Sequence, residues 1–163
     1  MSSTRTMGID VTDVSTAANG AQLPLGFEYT QPADGTNDYG ERTWIYIEAA
    51  GALAAGEVVM RSDGTTTAKG LVTTGAIAAI RCLGVAQHTI ASGSFGFILK
   101  RGVGEIAAED TGADQANDPL ATAAGGRVDV MAAGEEHCVV AFSTENAAAS
   151  AGALMTAMIN CPG

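Results

Sequence analysis

The chain is 163 residues long, 47% hydrophobic but only 5% aromatic, with a formal net charge of −10. Because 31 of its apolar residues are alanine, the length implies one domain and the composition a thin core. The eight Lys and Arg are scattered, with Lys100-Arg101 the only adjacent pair, which argues against nucleic-acid binding; no apolar run approaches the roughly 18 residues of a membrane span.

The 21 glycines, among many Thr, Ser, Asp and Asn, predict a turn-rich, all-β protein with closely approaching strands. Met1 to Asn37 has no sustained periodicity and is punctuated by Asn19-Gly20, Pro24, Pro32 and Asp34-Gly35. It reads as an extended N-terminal arm, residues 1–42, with apolar anchors at Ile9, Val11, Val14, Leu23, Leu25, Phe27 and Tyr29. Such an arm is either disordered or pinned to a surface, and the alternation from Ile9 to Val14 suits pairing with a neighbouring sheet edge. Residues 43–163 form the domain proper. TWIYIE, Thr43 to Glu48, is the clearest strand, with Trp44 and Tyr46 on one face and Ile45 and Ile47 on the other; such a strand needs cover on both sides.

AAGALAAG, Ala49 to Gly56, makes a corner, and Glu57 to Ser62 is a second strand. Asp63-Gly64 marks a turn, with Thr65 to Lys69 returning as a short strand, and Leu71 to Ile80 is assigned as a strand because Gly75 disfavours a helix. Cys82 to Ile90 and Phe95 to Lys100 read as a hairpin turning at Ala91-Ser92-Gly93-Ser94; Gly96 marks a bulge or a close backbone approach. Val103 to Pro119 reads as an acidic loop. Gly126 to Ala132 and Glu135 to Ser143 are predicted to pair across Ala133-Gly134, Asn146 to Ala151 to form at most one short helix, and Ala153 to Asn160 to close the domain as a strand.

Chemistry-bearing groups are sparse. His88 and His137 lie within predicted strands, and Cys138 beside Val139 and Val140 reads as a core thiol, although a Cys138–His88 pair can be drawn. Ser94 lacks the glycine two residues before it that a nucleophile elbow requires. Asp110, Asp114 and Asp118 are the candidate cation ligands, but a spacing of four matches no known loop, so a hydrated loop is expected. Cys82, Cys138 and Cys161 are odd in number and show no CxxC spacing, so reduced thiols are expected, with no disulfide framework and no zinc site. Met1 to Gly20 contains no apolar signal core, which places synthesis in a cytosol-like compartment, with any exit by a route other than secretion. No catalytic residue, metal or cofactor is assigned, and a structural or binding module is expected rather than an enzyme.

Leu83-Gly84-Val85-Ala86, Ile90, Gly93, Phe95-Gly96-Phe97 and Gly102 resemble the hairpin of head decoration, or capsid cement, proteins of tailed bacteriophages. Leu53-Ala54-Ala55-Gly56-Glu57-Val58-Val59 ahead of it, Pro119-Leu120 with Gly126 after it, and Ala153-Leu154-Met155 follow in the same order, so the resemblance spans roughly Thr43 to Gly163. It implies a single β-barrel or β-tulip-like domain, made in the host cytoplasm, that binds the outer surface of an assembled head and clamps neighbouring major capsid proteins. A homo-oligomer, trimer rather than dimer, is expected, with the arm lying along the shell. The alternatives are a tail, baseplate or fibre accessory domain, or a small hydrolase using His88 or His137.

Overall fold

The computed structural model describes residues 5–6, 8–33, 40–62, 68–109, 116–146 and 151–163. Its strands, in chain order, are β1 (Arg5–Thr6), β2 (Ile9–Asp10), β3 (Val14–Ser15), β4 (Glu28–Gln31), β5 (Arg42–Ala49), β6 (Val58–Arg61) and β7 (Lys69–Val72). After a 3₁₀ turn at Ala79–Arg81 come β8 (Cys82–Val85), β9 (Phe95–Ala107), β10 (Pro119–Thr122) and β11 (Val128–Val130); a second 3₁₀ turn, Glu136–Cys138, precedes β12 (Val139–Ser143) and β13 (Leu154–Asn160). The all-β expectation holds, and β5, β9, β8, β6 and β7 close into a five-stranded barrel.

Closure follows from β5, which pairs antiparallel with β9 along Trp44↔Leu99 to Glu48↔Phe95 and parallel with β7 at Glu48↔Lys69 and Ala49↔Gly70. The two faces of TWIYIE then separate. Ile45 and Ile47 join Val59, Leu83 and Ile98 in the barrel interior, while Trp44 and Tyr46 join Phe97, Leu99 and Val58 in a second, larger cluster. A five-stranded barrel encloses too little volume for large side chains from every strand, and Gly70 shows the limit. A Cβ there would collide with Val59 Cγ1 and lie 3.2 Å from Ile47 Cδ1. Gly70 thus leaves room for the branched side chains that fill a narrow barrel, and the cover that TWIYIE requires comes from its own chain, not from a subunit interface.

β9 belongs both to the barrel and to a second sheet that extends it, the two forming one continuous 11-stranded array. Its first half lines the barrel; its second half pairs with β13 in unbroken register from Arg101↔Asn160 to Ala107↔Leu154. The changeover falls at Gly102, whose φ of 113° disfavours other residues and whose Cβ would sit 2.8 Å from the Glu41 carbonyl oxygen. From β13 the sheet continues through β12 and β10 to β11. The inward residues Met155, Ala157 and Ile159 complete the larger cluster with Leu120, Val128 and Val140.

Several local expectations change. The acidic loop begins only after Ala107, because Val103 to Ala107 is strand. β11 and β12 are not partners, since β10 lies between them and pairs with both. Leu71 to Ile80 is strand only to Val72 and ends in a 3₁₀ turn. The turn at Ala91 to Ser94 is present, with a 3.0 Å bond from the Ser94 N–H to the Ala91 carbonyl, but the outgoing hairpin strand stops at Val85. Ile90 exchanges backbone bonds with Leu53 at 2.9 and 3.0 Å instead, and Phe95 to Ile98 pair with β5. Gly96 takes the close approach, its Cβ position lying 3.0 Å from Ile90 Cδ1. β6 and β7 pair around the Asp63-Gly64 region, but residues 63–67 lie outside the described residues, as do 147–150 of the expected helix.

The arm is built into this sheet. β4 pairs with β5 from Glu28↔Ile45 to Gln31↔Arg42, so a boundary after residue 42 falls inside β5 and parts most of that strand from its partner. β3 pairs with the start of β9 at Val14↔Gly96 and Ser15↔Phe95. An arm poor in apolar residues cannot form its own core, yet it can cover someone else's, and here it covers its own barrel.

Candidate functional site

The seven arm anchors converge on the domain. Val11 and Tyr29 are buried members of the larger cluster, with Ile9, Leu23, Leu25 and Phe27 packed against it; Val14 packs on the barrel-interior cluster, which Leu25 also touches. Phe27 meets Phe97 edge-on at 6.5 Å, and Tyr46 meets the same ring at 5.1 Å. β4 ends the sheet, its residues alternating between exposed and buried along Glu28, Tyr29, Thr30 and Gln31. Gln31 Oε1 accepts from Trp44 Nε1 and from Arg42 Nη2, both at 3.1 Å, which ties the arm to the only tryptophan. Glu28 pairs with the mostly buried Lys100 ammonium at 2.6 Å.

Among the described residues, two of the clefts between arm and barrel reach the candidate residues. One, of about 160 Å³, is lined by Ile9, Asp10, Gln22, Leu23, Tyr46 and Phe97. The other, of about 330 Å³, is lined by Val11, Thr12, Arg42, Trp44, Gln87, His88 and Glu105. His88 is half-buried there, its Nε2 enclosed and without a hydrogen-bond partner among the described residues. Burial lowers its pKa, with Asp10 opposing the shift. The lowered pKa favours the neutral ring, and among the described residues no hydrogen bond links its Nε2 to a nucleophile.

The other chemistry-bearing residues are dispersed. His137 is exposed on the second 3₁₀ turn, and no hydrogen bond joins a histidine to Cys138 among the described residues. Ser94 is a buried turn residue. Asp110 and Asp114 lie outside the described residues, while the Asp118 N–H donates to Ser143 Oγ at 3.0 Å. Among the described residues no three His, Cys, Asp or Glu side chains gather as a metal site. All three cysteines are free and buried. Burial pushes the Cys82 thiol up to about 12, Cys138 adding to the shift and Arg81 opposing it; burial, with Cys82 second, also raises Cys161.

The surface feature that sequence reasoning missed is the outer face of the second sheet, where Phe142, Leu154 and Met158 are large and exposed. Its signal was present in ALMTAMIN, where Leu154 and Met158 alternate with the inward Met155, Ala157 and Ile159, leaving both faces apolar.

No family model matches the chain, and no curated protein matches it. Among solved structures it is similar to the N base of the head fiber protein gp8.5 of bacteriophage phi29, with a TM-score of 0.53 and 16% sequence identity. The likeness covers 72% of this chain and 92% of that one. At that identity the finding is one of shared fold.

Proposed function

We propose that this chain is a structural protein of a bacteriophage head, seated on the outer surface of the shell as a decoration or cement protein against the major capsid protein. The observation that carries the proposal is the fold shared with the base of a phage head fiber, over nearly all of that base. Two further features support it: the decoration-protein resemblance of the β8–β9 region, and a net charge of −10 that favours a basic docking surface. The arm contributes through backbone. Its anchors are engaged by the chain's own barrel, so β4, which ends the sheet among the described residues, offers an edge to a strand of the shell.

The same likeness favours a second reading, the base of a head-attached fibre. Purified protein mixed with undecorated heads and imaged by cryo-EM separates the two. Density repeated over the outer shell supports the decoration role; density at sparse attachment points gives the fibre base. A shell that stays bare at saturating protein rejects both.

A further inference from the structure

Cross-strand register on the second sheet builds an apolar row that no single segment of sequence displays. Val103 on β9 is opposite Met158 on β13, Met158 is opposite Phe142 on β12, and Phe142 is opposite Pro119 on β10. The row ends at Met131, whose N–H donates to the Pro119 carbonyl at 2.9 Å. Directly paired residues share a face. This one is the outer face, because the alternate residues Met155, Ala157 and Ile159 point into the core. Phe142 keeps 49% and Met158 46% of its surface exposed.

Charges flank the row symmetrically. Two residues to one side of Val103 on the same face lies Arg101, and two residues to the other side lies Glu105; both are exposed. Neither forms an ion pair among the described residues. We propose that this face pairs with the same face of a second copy, about a two-fold axis running along the row. Rotation about that axis lays each apolar residue on its own counterpart and reverses the strand direction. Arg101 of each copy then meets Glu105 of the other, and Asn160 meets Thr156. A two-fold along the strands lacks this match, so the charges select the axis. Isologous pairing of this kind is the commonest form of self-association, and aligned sheets stack about 10 Å apart.

Five strands spaced by about 4.8 Å give a patch about 19 Å wide and about 14 Å along the strands, roughly 270 Å². A standard interface buries about 800 Å² per partner, so the pairing is weak and concentration-dependent in free solution. It is two-fold, where the sequence led us to expect a trimer, and it does not rest on the virion reading.

Sedimentation velocity over a concentration series tests it on the full chain. A monomer–dimer equilibrium is expected, weakened at least tenfold by Arg101→Glu or by Glu105→Arg alone. The Arg101→Glu/Glu105→Arg double exchange should return the dissociation constant to within a few-fold of the starting protein, and Met158→Glu should leave monomer only. Because all these side chains are exposed, unchanged thermal midpoints check that the variants fold. Single exchanges without effect, failure of the double exchange to restore pairing, or a trimer would each overturn the proposal. So would a protein that stays monomeric while Met158→Glu abolishes binding to heads; that result gives the face to the shell.

Discussion

Replacing Val11 by Ala tests whether the arm is part of the domain or a free tether. Val11 is 2% exposed and lies in one cluster with Tyr29, Trp44 and Tyr46. Removing two methyl groups forfeits about 1.6 kcal/mol of transfer free energy, at about 0.8 kcal/mol for each carbon. A residual void adds a further fraction at about 24 cal/mol per Å³, while the open cleft beside Val11 allows some collapse, so the expected loss is about 2 kcal/mol. For a domain of this size that lowers the thermal midpoint by about 4–8 °C. Urea titration followed by tryptophan fluorescence is direct, since Trp44 is the only tryptophan, is 3% exposed, and lines the same cleft as Val11. The urea midpoint should fall with the slope unchanged. An unchanged midpoint combined with weaker binding to heads would refute the reasoning, because Val11 would then be meeting the shell and not its own barrel.

The barrel interior gives a second expectation: Gly70→Ala costs about 1–3 kcal/mol by overpacking against Val59, and adding Val59→Ala makes the double variant more stable than the summed single losses. Strict additivity in that urea-denaturation cycle would count against a filled barrel. A third concerns pH. His88 has a lowered pKa in the folded chain, so on acidification the unfolded chain takes up its proton first, and stability present above about pH 6.5 is lost as pH falls toward the folded value. His88→Gln should flatten that part of the stability–pH curve, and a curve as steep as before would assign the dependence to other groups. The fourth is that Cys82, Cys138 and Cys161, all buried, resist iodoacetamide at pH 8 in the native protein and react fully in denaturant; rapid labelling of Cys82 or Cys161 without unfolding would contradict their burial.

The sequence by itself determined the class of fold and those strands whose side chains alternate in size. TWIYIE announced β5 and its two covered faces, VVM announced β6, and ALMTAMIN announced β13, because period two among large side chains is a local property. The turn at Ala91 to Ser94 is legible because small residues and a glycine able to take positive φ are also a local signal. Only the tertiary structure decided that β9 runs on to Ala107, because VGEIA mixes glycine and charge and gains its strand from pairing with β13. It decided too that β10 separates β11 from β12, a choice between partners that no local pattern encodes. In sequence the arm reads as an appendage because its anchors are few and widely spaced. They become core only when β4 pairs with β5 and brings Tyr29 and Val11 over Trp44 and Tyr46. The charge-flanked row from Val103 to Met131 is the extreme case, since each strand supplies one residue to it and only register, set over a separation of tens of residues, places them side by side.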